Sequence, residues 1–123
     1  MSTALLAQTA YAATAPVRTP RATEYAAFQK VTARLVQASR DGAPMTELAA
    51  AIYENRRLWT TLAIDLADDG NALPKPLRAQ LMYLAEFSLL GSSKALRDRA
   101  ALRPLIEVNT AVMRGLSGQD AAT

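Results

Sequence analysis

Cysteine and histidine are both absent from the 123 residues. Those two gaps remove disulfides, thiolate nucleophiles, zinc sites of the finger or protease kind, and every triad whose base is an imidazole. Any chemistry left would run on Asp, Glu, Lys, Arg, Tyr, Ser or Thr. β-Branched aliphatics are scarce as well: valine and isoleucine total 8, against 26 alanines and 17 leucines. That balance suits helices over strands. No run of about 18 apolar residues occurs, so no membrane-spanning helix is expected. The first fifteen residues, MSTALLAQTAYAATA, are apolar but lack the positively charged start of a secretory signal. They are expected to form a mobile arm on a cytoplasmic protein. Surplus charge is also small. Fourteen Lys and Arg against eleven Asp and Glu leave +3, and the eleven arginines are scattered among acids, whereas a nucleic-acid binder gathers its positive charge on one face.

What is present is enough apolar material for one core. Half of the residues are hydrophobic and 20% are charged, the composition of a folding chain of single-domain size. The expected architecture is an all-α single-domain bundle of about four helices, with residues 1–19 as the arm, 20–116 as the bundle and 117–123 as a disordered tail. The first helix is expected from Thr19 and Pro20, a capping residue followed by a proline suited to the first helical position. Its apolar stripe is Tyr25, Phe28, Val31, Thr32, Leu35 and Val36, and Asp41, Gly42 and Pro44 end it. The second runs from about Thr46 to Asp68. Leu48, Ile52, Asn55, Trp59, Leu62 and Leu66 alternate spacings of four and three, the seam of a bundle helix.

The third helix is expected from Pro74 or Pro76 towards Arg99, with Gly91, Ser92 and Ser93 as a point of kinking or breakage. Its main stripe is Leu77, Leu81, Leu84, Ser88 and Ala95, but Met82, Leu89 and Leu96 form a second row and Tyr83 with Leu90 a third. A helix apolar nearly all round is either central or keeps part of its surface for a partner. The fourth begins near Leu102, presents Leu102, Leu105, Ile106, Asn109, Val112, Met113 and Leu116 on one side, and is expected to end at Gly115.

No catalytic constellation emerges, and no cofactor or metal site. Asp65, Asp68 and Asp69 share a face but do not match the alternating ligands of a calcium loop, so a solvated surface is the simpler reading. Glu54, Glu86 and Glu107 lie on separate helices with no motif joining them. Arg56 and Arg57 adjoin Trp59 without the interleaved aromatics of an RNA platform. Asn55 and Asn109 each interrupt an apolar stripe, where a buried amide is costly unless satisfied. They are expected to bond to each other or to backbone across the core and fix helix register, in preference to holding a bound peptide.

On the second helix Tyr53, Thr60 and Ile64 point away from the seam. With Met82, Leu89 and Leu96 they supply more apolar surface than four short helices need, and a groove lined by methionine and leucine is a receptor for an amphipathic helix. Tyr53, Ile64, Met82, Leu89 and Leu96 are therefore the candidate partner-binding residues. The alternative occupant is the arm itself, through Leu5, Leu6 and Tyr11.

The segments AY at Ala10 and Tyr11, EYAAFQKVTARL from Glu24 to Leu35, NRRLWTTLAIDLA from Asn55 to Ala67, NALPKPLRAQL from Asn71 to Leu81, and LIEVN from Leu105 to Asn109 followed by MRGL ending at Leu116 resemble the flagellar biosynthesis regulator FlaF of alphaproteobacteria. The resemblance implies a small cytoplasmic, non-enzymatic protein that promotes flagellin production and export. It implies flagellin as a partner, with the companion regulator FlbT, which acts on flagellin messenger RNA. It transfers no catalytic residues and no binding map. Two functions stay open: a secretion chaperone that holds flagellin itself, or a regulator acting through FlbT without holding it. Neither expectation includes direct nucleic-acid contact or membrane insertion.

Overall fold

The computed structural model describes the backbone of residues 20–122 and the side chains of residues 24–115. The expected arm, the Thr19 cap, and Leu5, Leu6 and Tyr11 lie outside the described residues. Four α-helices, with no strand among the described residues, follow one another: α1 (Pro20–Ala38), α2 (Met45–Leu66), α3 (Lys75–Ala95) and α4 (Leu102–Ala122), the last preceded by a single 3₁₀ turn at Arg99–Ala101. α1 packs on α2, α2 on α3, α3 on α4, and α4 closes back on α1. The result is a four-helix ring in which α1 faces α3, and α2 faces α4, across the core. Short connections make successive helices antiparallel.

Each turn has a local cause. α1 stops where Gly42 takes φ +80°, a backbone conformation that only glycine enters at little cost. At the far end of α2, Asn71 accepts from the Leu73 amide (3.0 Å) and donates to the Asp65 carbonyl (3.1 Å). Arg78 then reaches back from α3 to the Leu66 carbonyl at the open end of α2 and to the Asp68 carbonyl, which also accepts from the Asn71 amide. Asp98 accepts from the Ala100 amide at 3.1 Å and so starts the 3₁₀ turn. Arg99 donates to the Arg40 carbonyl at 3.2 Å, tying the end of α1 to the start of α4.

The α2 seam is buried along its whole length, from Leu48 through Ile52, Asn55, Trp59 and Leu62 to Leu66. The core it joins has two halves. Near the α1–α2 turn, Leu35, Ala38, Leu48, Ile52, Ala95, Leu102 and Leu105 pack together. Towards the other end, Phe28, Trp59, Leu62, Leu66 and Ala85 form a second cluster. There the Phe28 and Trp59 rings meet edge to face, with centroids 5.5 Å apart, a geometry worth about 0.5–1.5 kcal/mol beyond the area it buries.

Two glycines behave differently from expectation. α3 runs unbroken through Gly91. A Cβ on this glycine would lie 2.9 Å from Leu105 Cδ2, so the residue permits close approach of α3 to α4. α4 likewise passes through Gly115 and continues to Ala122, so the helix bounds extend into the segment expected as a tail. Val36, assigned to the α1 stripe, is exposed.

Candidate partner-binding site

α3 positions the site, and it is apolar on its outer side as well as its inner one. The side chains it buries completely are Ala85, Ser88, Ser92 and Ala95, all small. Of its large apolar residues, Leu81, Leu84 and Leu89 pack half-buried against the Trp59 cluster, while Tyr83 and Leu90 are each 69% exposed, Met82 37%, and Leu96, just past its end, 43%. A helix normally buries its bulk and shows polar groups to water. Here small residues bring α3 close to its neighbours, and beyond the leucines that line the core a further set of large apolar side chains faces out.

Of the five candidate residues, Tyr53 and Ile64 are both 63% exposed on the outer side of α2, and Met82 on α3 and Leu96 just past its end are exposed too. Leu89 is not free in the same way: it is half-buried and packed against the cluster around Trp59. Between the two helices, the Arg56 guanidinium donates to the Leu89 carbonyl at 3.3 Å, which places a positive charge at the seam dividing the α2 row from the α3 row. Tyr83 and Leu90, seen in the sequence only as a third row, are the most exposed large apolar side chains of α3.

Beneath this surface lies a band of buried polar groups. Asn109 donates from Nδ2 to Asn55 Oδ1 at 2.8 Å, and its own Oδ1 accepts from Trp59 Nε1 at 2.9 Å. All three residues are fully buried, so the chain of two bonds crosses the ring from α2 to α4. Ser88 and Ser92 on α3 and Thr32 on α1 are buried too, and the Ser92 hydroxyl donates to the Ser88 carbonyl at 2.7 Å. Thr32 Oγ1, Ser88 Oγ and Asn55 Nδ2 have no hydrogen-bond partner among the described residues.

The acids divide by environment. Asp68 and Asp69 are exposed, but Asp65 is buried, so the three do not form the solvated face read from their spacing. Burial raises the Asp65 carboxyl above its ordinary range, and the Asp68 charge adds to the effect. Glu24, also buried, is pushed up to about 7, first by burial and then by the nearby Asp65 charge. This pair went unrecognised because an isolated Glu and Asp in sequence carry no sign of burial. Glu54 pairs with Arg34 across α1 and α2, and Glu86 and Glu107 are exposed, so the three share no site. Among the described residues no group of three potential ligands could hold a metal ion, and no helix is long and apolar enough to cross a membrane.

Comparison with known families gives this bundle its setting. The family model of the flagellar protein FlaF matches residues 7–116. The chain belongs to the FlaF family. The match spans all of α1, α2 and α3 and α4 as far as Leu116, so both the outward α3 face and the amide chain lie within the FlaF region. No curated protein and no solved structure matches the chain.

Proposed function

We propose that this FlaF protein is a non-enzymatic, cytoplasmic flagellar biogenesis factor that binds flagellin as a secretion chaperone and so promotes flagellin synthesis and flagellum assembly. The observation that carries this reading is the apolar outer face of α3, where Met82, Tyr83, Leu90 and the adjoining Leu96 remain exposed after Leu81, Leu84 and Leu89 have packed against the core. Flagellin before export presents amphipathic helices to water, and a chaperone needs an apolar face held ready for them. The bundle meets that need without moving parts, because its register is held from within by Asn55, Asn109 and Trp59.

The test is capture of purified flagellin by the purified full chain, measured by size-exclusion chromatography and titration calorimetry, beside the same measurement with a FlbT-type regulator. Stable flagellin capture supports the chaperone. Binding to FlbT alone, with no affinity for flagellin, overturns it in favour of regulation through flagellin messenger RNA. Capture resting on apolar contact tolerates added salt, whereas direct RNA contact weakens steeply.

A further inference from the structure

The outer surface of α3 has a period of its own. Met82, Leu89 and Leu96 recur at sevens, and Tyr83 and Leu90 recur at sevens beside them. Sevenfold spacing keeps two adjacent rows in line along a helix, as in the seam of a coiled coil. From Met82 to Leu96 the stripe is about 21 Å long at about 1.5 Å per residue, room for about four turns of a second helix. Leu89 anchors the inner edge of this stripe in the core, while Tyr83 and Leu90 stand clear of it.

The charge of the segment that carries the stripe is lopsided. Residues 75–103 hold Lys75, Arg78, Lys94, Arg97, Arg99 and Arg103 against Glu86 and Asp98. Six cations against two carboxylates leave +4 on this segment, while the whole chain carries only +3. Lys75, Lys94 and Arg97 are exposed, as is Arg56 at the α2 seam.

From this juxtaposition we infer that the outer stripe of α3 receives an acidic amphipathic helix from another protein, its apolar side on Tyr83 and Leu90 and its carboxylates towards Lys94, Arg97 and Arg56. A second copy of the chain fits poorly, because a two-fold pairing sets the same positive patch against itself. Residues 1–19 offer no counter-charge: they contain Arg18 and no acid. The inference rests on the chaperone reading for its biological setting and adds the chemistry of the bound segment.

The test uses the full chain and two synthetic 21-residue amphipathic peptides with leucine at the seam positions, one flanked by glutamate and one by lysine, titrated by fluorescence anisotropy. The glutamate peptide is expected to bind at least tenfold more tightly than the lysine peptide. Leu90→Asp and the double variant Lys94→Glu/Arg97→Glu each lose at least tenfold of that binding with unchanged thermal melting. Equal affinity for the two peptides, no binding of either, undiminished binding by Leu90→Asp, or a dimer in sedimentation that Leu90→Asp dissolves would each overturn the inference. Flagellin capture that survives Leu90→Asp overturns this surface and leaves the chaperone standing. Acidic-peptide binding without flagellin capture does the reverse.

Discussion

Asn55 and Asn109 are bonded to each other, yet replacing each by leucine is expected to have very different consequences. Asn109 sits in the middle of the chain: it donates to Asn55 and accepts from Trp59 Nε1. Asn109→Leu therefore leaves two fully buried groups, Asn55 Oδ1 and Trp59 Nε1, without partners. Each orphaned group costs about 1–3 kcal/mol, so the loss is about 2–6 kcal/mol before the leucine's own burial offsets about 1.5–3 kcal/mol of it. Asn55→Leu orphans only Asn109 Nδ2, and it also removes Asn55 Nδ2, a buried donor that already lacks a partner. One unsatisfied group is exchanged for another, and the same leucine gain applies. The two variants should thus differ by the two orphaned groups, about 2–6 kcal/mol, with Asn55→Leu neutral or stabilising. Against a total stability of about 5–15 kcal/mol, that gap is large. Guanidinium denaturation followed by circular dichroism reads it directly, and at about 4 °C per kcal/mol for a domain of this size it corresponds to a Tm difference of about 8–24 °C. If Asn55→Leu costs as much as Asn109→Leu, the reasoning from the direction of the bonds is wrong.

Gly91→Ala places a methyl group against buried Leu105. The overpacking cost of about 1–3 kcal/mol should exceed the helix-propensity gain of about 1 kcal/mol, so the variant is expected to melt lower, and a higher Tm would show that α3 and α4 are not tightly apposed there. Leu89→Asp should destabilise the bundle by about 2 kcal/mol or more, because it puts a carboxylate against the Trp59 cluster, whereas Leu90→Asp should change the denaturation midpoint little; equal effects on urea unfolding would contradict the described burial. Glu24 titrates higher folded than unfolded, from 4.5 to about 7. The folded state therefore holds the proton more tightly, and the associated stability is fully present below about pH 4.5 and lost as pH rises through about 7. Stability measured by urea melts is expected to fall between pH 5 and pH 8, and Glu24→Gln should flatten that slope; an unchanged slope in the variant would assign the pH dependence elsewhere.

The helices and the α2 seam were legible because bulky apolar residues at spacings of three and four leave a clear trace. The meeting of Asn55 and Asn109 was legible for the same reason, since each amide interrupts such a stripe. α3 was harder. Its buried face is made of Ala85, Ser88, Ser92 and Ala95, and Ala85 and Ser92 carry too little hydropathy to announce themselves. Gly91 reads as a breaker in one dimension, but its role depends on Leu105, fourteen residues onward and one helix away. The half-burial of Leu89 between exposed Met82 and Leu96 was not legible, because the sequence shows three apolar rows without saying which of them the core takes. Asp65 resembles its neighbours Asp68 and Asp69 in every local respect, and only the way α2 seats in the ring separates it from them.

The rung of amides between α2 and α4 has a consequence for how such a protein changes over time. A one-turn slip of either helix, about 5.4 Å, would set one amide against apolar side chains such as Ile52 or Leu105, so the seating of the helices is specified from the inside. The exterior of α3 contributes little to that specification. Its side chains are thereby at liberty to drift with whatever they meet, and a lineage can retune its recognition surface while the scaffold keeps its shape.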